Sequence, residues 1–238
     1  MSRDSISNWH LPIGEVHVFL FPLAFHCGYK QLLDEHELVI RSGFRTTLQI
    51  EHYSAAHAVT RIVLGRTLRS NPKGVQIRKT VNGKPYCASN PDLKFNLSHT
   101  GDLAMLAVAW EADLGVDVEL IRPMEDLESI ARGFFADAEC QAIMARNHHQ
   151  ERATAFFRCW TRKEAFVKAT GEGLSTPLDS FSVSVDAGSA RFVAGVKPSD
   201  WHIQDLSSVD NYFAAAGVAS RPMTWQSFAV TDPAGEFF

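Results

Sequence analysis

The stretch LGVDVELI, residues 114–121, places two carboxylates two residues apart in what otherwise looks like a buried strand. Successive side chains of an extended chain point to opposite faces. Val116, Val118 and Leu120 therefore share one face, and Asp117 and Glu119 share the other. Carboxylates that close repel each other unless water, a base or a cation lies between them. A half-exposed antiparallel strand with a solvated acidic face accounts for these eight residues alone. The other reading is half of a hard-cation site, and it needs support from elsewhere in the chain.

That support comes from AFFRCWTRKEAFVKA, residues 155–169. At about 100° per residue, Phe156, Phe157, Trp160 and Val167 define one apolar arc. Glu164 falls inside it, Lys168 sits at its edge one turn on, and Lys163 flanks the other side. A Glu–Lys pair at i,i+4 on a solvated face is common and contributes only a few tenths of a kcal/mol. A charge among packing aromatics is costly unless it is paired or metal-bound, which favours a functional Glu164. Three carboxylates with lysines beside them suit Mg²⁺, a hard cation that takes oxygen ligands and keeps sites for water and phosphate. Such equipment serves reaction at phosphorus. Neither a GxxxxGK[ST] loop nor a GxGxxG turn after a strand is present.

The wider chain sets limits. Its 238 residues are 45% hydrophobic and 21% charged, ordinary for a globular protein, with a formal net charge of −4. Nucleic acid is not an expected partner at that charge. Cys27, Cys87, Cys140 and Cys159 are scattered without metal-ligand spacing, as free thiols of a reducing compartment would be. The apolar N-terminal stretch lacks the order of a signal peptide, and His17, Pro22 and His26 interrupt it. No run approaches the ~20 apolar residues of a membrane span. A cytoplasmic protein, a monomer without a membrane partner, is the expectation.

Strands are expected at EVHVFLF (15–21), KFNLSHT (94–100), LAMLAVAW (103–110) and 114–121, and a helix over 51–69, where Tyr53, Ala56, Val59, Val63 and Leu64 recur at helical spacing. SNPKG (70–74) breaks that helix, and NGKPY (82–86) is a turn. The second half offers helices at 127–135, 137–147 and 151–170, the terminator at Gly171, and strands at 181–185, 190–196, 201–206, 212–220 and 224–230. Each half is a principal helix plus short strands. The expected fold is α+β, with two similar lobes, 1–121 and 122–238.

The set NGKPY, FNLSHTG, GVDVE and FFRCWTRKEAFVKATGEGL, in that order, resembles the Sfp-type 4′-phosphopantetheinyl transferases over roughly residues 12–230. The resemblance implies a pseudo-dimer of two α+β lobes with the active site between them. It implies Mg²⁺-dependent transfer of the phosphopantetheine arm of coenzyme A to a serine of an apo carrier protein, releasing adenosine 3′,5′-bisphosphate. Asp117, Glu119 and Glu164 would hold Mg²⁺, with Glu164 also the base toward the serine and Lys168 stabilising the leaving phosphate. Lys163 would belong to the same basic wall, and Ser98 and His99 would meet coenzyme A. Gly83, Lys84 and Pro85 would hold its adenylate end, and Arg45 and His52 its 3′-phosphate. Arg61 matches an internal arginine of the family's helix. A Mg²⁺ phosphohydrolase and a non-catalytic coenzyme A- or carrier-binding module are the alternatives. Trp160 and the Phe134–Phe135 pair are expected in the core, a hydrophobic rim for the carrier being the other reading of the pair, and His148–His149 at a solvated helix end.

Overall fold

A computed structural model describes residues 9–23, 28–188, 190–197, 199–206 and 213–230. Cys27 and His26 lie outside the described residues. The first half runs β1 (Glu15–Pro22), α1 (Tyr29–Leu32), α2 (Glu35–Ser42), α3 (Thr47–Thr67), β2 (Ile77–Lys79), β3 (Pro85–Cys87), β4 (Leu93–Thr100), β5 (Leu103–Trp110) and β6 (Leu114–Leu120). There follow α4 (Leu127–Phe134), α5 (Asp137–Met144), α6 (His149–Thr170), β7 (Ser182–Val183), β8 (Phe192–Ala194), β9 (His202–Asp205), β10 (Phe213–Ala219) and β11 (Thr224–Ala229).

The α+β class expected from the sequence is present. One sheet has the order β11-β1-β5-β4, and a second the order β6-β10-β9. Helix α3 starts at Thr47, four residues before the start expected at residue 51, because Thr46 and Gln49 form a capping box. One face of the first sheet packs Phe19, Phe21, Leu106 and Val108 against Ile62 and Val63 of α3. The other face packs Val16, Val18, Met105 and Ala107 against Leu114, Val116 and Val118 of β6. Helix α6 lies on the far side of β6 and β10, in a core with Ala216, Val218 and aromatics of α4 and α6. The resulting order of layers is helix, sheet, sheet, helix.

The division expected after Ile121 does not follow these sheets. Strand β6 pairs antiparallel with β10, Asp117 opposite Ala216, rather than with the strands that precede it. Strand β11 returns to pair parallel with β1. The physical reason lies in β1, whose residues 16–21 are all buried. A strand buried on both faces needs ladder partners on both edges, and β5 supplies only one of them.

No backbone ladder joins β4 to β6 among the described residues. Alternate side chains of β4 bridge the gap instead. Asn96 Oδ1 accepts from the Val116 amide at 2.9 Å, Ser98 Oγ donates to Asp117 at 2.9 Å, and Thr100 Oγ1 donates to Glu119 at 3.2 Å. Arg61, fully buried, ties α3 to Asp34, Glu37 and the Val75 carbonyl. Its role is to fix the first half's loops.

Gly115 lets β6 and α6 meet backbone to backbone. A Cβ there would stand 2.2 Å from the Ala165 carbonyl oxygen and 2.4 Å from the Ala169 nitrogen. Gly115→Ala is therefore expected to lower the urea midpoint with the slope unchanged, by about 1–3 kcal/mol of overpacking. An unchanged midpoint would show that the two elements are not held in backbone contact.

Candidate functional site

The alternation of β6 turns Val116 and Val118 into the core between the sheets, and Asp117 toward α6. Asp117 is only 4% exposed, so its carboxylate is not on a solvated face. Its Oδ1 accepts from Lys168 Nζ at 2.5 Å and from Ser98 Oγ at 2.9 Å, while Lys168 Nζ also reaches Ser98 Oγ at 2.9 Å. The second oxygen, Oδ2, is buried with no hydrogen-bond partner. Burial raises the Asp117 pKa above the usual carboxylate value despite the pull of Lys168 and Ser98.

The other two acids lie within electrostatic reach of Asp117. Burial first, then repulsion from Asp117, raises the Glu119 pKa, and Thr100 offsets part of this. Glu164, half-buried one turn before Lys168 on α6, is raised by burial and then by Asp117, with Lys168 opposing. Asp117 raises both glutamates, Glu119 raises Glu164, and the Lys168 ammonium opposes the rise at all three, so the four groups form one electrostatic cluster. Among the described residues no three His, Cys, Asp or Glu side chains converge as a preformed metal cage. Lys168 stands on Asp117 there. The donor set is nevertheless all oxygen, and it includes an orphaned buried carboxylate oxygen, which fits a hard divalent cation that keeps several waters. Asp117, Glu119 and Glu164 are the residues that would hold it.

Two cavities adjoin along the β2–β3 hairpin, and the first of them reaches Glu164 and Lys168 of this cluster. The first, about 590 Å³, is lined by Glu164, Lys168, Trp160, Phe134, Lys84 and Pro177 among others. The second, about 900 Å³, lies between α3, β4 and the β2–β3 hairpin, and His52, His57, His99, Arg78 and Lys79 line it. Gly83, Pro85 and Leu97 line both, so the hairpin tip is the wall between them. His99 is held below the usual imidazole value by loss of solvent and by the nearby Lys168, His52 and His57.

Of the residues singled out in the sequence, Asp117, Glu119, Glu164, Lys168 and Ser98 come together, and Pro85, His99 and His52 line the cavities. His52 also pairs with Asp102 at 3.2 Å. Lys163 does not belong to a basic wall. It is fully buried, ion-paired with Glu139 at 2.8 Å, and donates to the Leu178 and Phe181 carbonyls. Arg45 is exposed before α3 and lines neither cavity. Lys84 lines the first cavity with its stem, but its ammonium donates to the Ala169 carbonyl at 2.5 Å. Phe135 is core as expected, whereas Phe134 is 50% exposed at the cavity rim. His148 and His149 are exposed at the start of α6. Sequence reasoning missed Asn96 and Thr100, although their alternation with Ser98 was a readable signal. It also missed Arg78 and Lys79, which bring basic charge to the second cavity from β2 rather than from the segment before α3.

Fold and site together define an enzyme class. Residues 113–217 match the 4′-phosphopantetheinyl transferase superfamily model, and residues 29–111 match that of the 4′-phosphopantetheinyl transferase N-terminal region. The chain is 30% identical over 228 residues to the 4′-phosphopantetheinyl transferase HetI of Nostoc sp. (strain PCC 7120), covering 93% of this chain and 92% of that one. It is 35% identical over 125 residues to the 4′-phosphopantetheinyl transferase Sfp of Bacillus subtilis (strain 168), covering 52% and 54%. A holo-(acyl-carrier-protein) synthase from Bacillus anthracis shares 20% identity and a TM-score of 0.36 over 45% of this chain and 93% of its own. The chain belongs to the 4′-phosphopantetheinyl transferase family, and is an enzyme of that class, as its motifs led us to expect. No helix among the described residues is long and apolar enough to cross a membrane.

The raised carboxylates have a consequence for stability. An acid whose folded pKa lies above its unfolded value binds more protons folded than unfolded between the two. Its contribution is then complete below the unfolded value and is lost as pH rises through the folded one. Glu164 is such a group. Glu164→Gln should raise the thermal midpoint of the metal-free protein at pH 8, and the gain should vanish below about pH 4. A midpoint that falls at pH 8 would mean that Glu164 is held by favourable partners and not by a repelling cluster.

Proposed function

We propose that this enzyme transfers the 4′-phosphopantetheine group of coenzyme A to a serine hydroxyl of an apo carrier protein, with Mg²⁺, releasing adenosine 3′,5′-bisphosphate. The observation that carries this reading is the contact of Lys168 with Asp117 and Ser98, with Glu164 one turn away, at the mouth of a cavity. An acid, an ammonium and a buried carboxylate in one place suit a displacement at phosphorus, where positioning and charge neutralisation supply most of the rate.

In this reading the nucleotide end of the donor occupies the second cavity, with its 3′-phosphate toward Arg78, Lys79, His52 and His99. The diphosphate crosses the hairpin wall to the acid cluster, and the pantetheine arm lies in the first cavity. Mg²⁺ held by Asp117, Glu119 and Glu164 would neutralise charge on the diphosphate. Glu164, its pKa raised by burial and by Asp117, is suited to take the proton of the attacking serine. Lys168 can swing from Asp117 to the leaving phosphate oxygen, adding an ammonium where negative charge develops. The exposed Phe134 borders the entry for the carrier. The halves containing α3 and α6 would be the two lobes of a pseudo-dimer. We place the reaction in the cytoplasm and assign it to a monomer.

Intact-mass spectrometry of several apo carrier proteins, incubated with the enzyme, Mg²⁺ and coenzyme A, tests the proposal. One added phosphopantetheine on a serine is expected, abolished by EDTA and restored by Mg²⁺ or Mn²⁺. Release of free phosphopantetheine without a modified carrier would indicate a phosphohydrolase. Coenzyme A binding with no product from any carrier would indicate a binding module. Full transfer in EDTA would remove the metal from the site.

A further inference from the structure

Lys84 lies at the tip of the β2–β3 hairpin, yet its ammonium reaches across to both elements that carry the acid cluster. Nζ donates to the Ala169 carbonyl at 2.5 Å and to the Leu114 carbonyl at 3.3 Å. Ala169 follows Lys168 in the last turn of α6. Leu114 opens β6, three residues before Asp117. The last carbonyls of a helix have no intrahelical partner and concentrate the negative end of its dipole. A cation there satisfies one of them and holds it in place.

We propose that Lys84 is a positioning residue for the transfer reaction: it clamps the end of α6 to the start of β6, and so sets Lys168 against Asp117, rather than binding the phosphates of the donor. The inference rests on the function proposed above. Three features support it. The Lys84 stem packs on Gly171, the left-handed cap of α6 at φ +73, where a Cβ would stand 2.8 Å from Lys84 Cδ. Burial lowers the Lys84 pKa, as for an ammonium withdrawn from solvent onto carbonyl dipoles. The second cavity, which takes the nucleotide in our reading, is lined by Gly83 and Pro85 but not by Lys84, and although Lys84 contributes to the lining of the first, its ammonium is engaged by the two carbonyls. The hairpin wall and the reactive cluster are thus coupled through one ammonium: displacing it would free both the wall and the last turn that carries Lys168.

The test uses the ammonium signals of Lys84 and Lys168 in ¹H–¹⁵N NMR spectra of the full chain, together with transfer kinetics. In the wild-type protein, saturating coenzyme A should leave the Lys84 signal in place, without coupling to ³¹P. Lys84→Met should leave the dissociation constant of coenzyme A within about twofold, lower turnover at saturating donor by about tenfold, and shift the Lys168 signal or speed its exchange. A phosphorus coupling to the Lys84 ammonium would overturn the proposal. So would a tenfold loss of coenzyme A affinity with unchanged turnover at saturation. The wild-type measurement decides the matter even where Lys84→Met does not fold. Should the wild-type protein neither bind coenzyme A nor modify a carrier, the proposed function fails. The clamp is then judged by the Lys168 signal alone: a change in Lys84→Met supports it, and an unchanged signal overturns it.

Discussion

The contact of Asp117 with Lys168 and Ser98 joins three elements that share no common ladder: β6, α6 and β4. Burying a carboxylate costs several kcal/mol unless a charge and hydrogen bonds compensate it. Here the compensation is incomplete. One oxygen is doubly paired and the other has no partner, and burial still outweighs Lys168 in setting the Asp117 pKa. Much of the surrounding structure follows from holding that group in place. Asn96 and Thr100 align β4 with β6 on either side of it, Gly115 lets α6 approach closely enough for Lys168 to reach, and β10 completes the ladder behind it. A partly satisfied buried charge is costly for stability alone. It suits the proposed exchange in which Asp117 accepts a cation and Lys168 turns to the leaving phosphate.

The sequence carried the parts of this arrangement that depend on periodicity. The alternation in LGVDVELI put two acids on one face, and the helical spacing of Phe156, Trp160, Glu164 and Lys168 put an acid among aromatics. Both survive in the structure. What periodicity cannot supply is the partner across the gap. Lys163 lies beside Glu164 in the chain and looked like part of the same basic surface. A rotation of about 100° per residue instead carries it to a different face of α6, where Glu139 of α5 meets it. Lys84 was placed with the donor on its motif, whereas its length lets the amine reach the carbonyl at the end of a helix far along the chain. The parallel return of β11 to β1 was equally hidden, because TWQSFAV reads as a strand without naming its neighbour. Charge had moved as well: the basic residues sought before α3 are replaced by Arg78 and Lys79 on β2.

In the reading proposed above for this member of the transferase family, these features serve one chemical purpose. The two cavities share the hairpin tip and Leu97 of β4, and the first is bordered by Glu164 and Lys168 of α6; in the proposed reading a long donor spans both, with its reactive phosphorus at the cluster. The central claim is that Glu164 and Lys168 act at opposite ends of a single displacement there. Single-turnover transfer at saturating Mg²⁺, measured for the wild-type enzyme, Glu164→Gln, Lys168→Met and the double variant, tests that claim most directly. Each single variant should lose about 10²-fold or more in rate. The double variant should lose less than the product of the two losses, because both groups serve one step. Near-wild-type rates in both single variants would contradict the claim and leave Glu164 and Lys168 a structural pair.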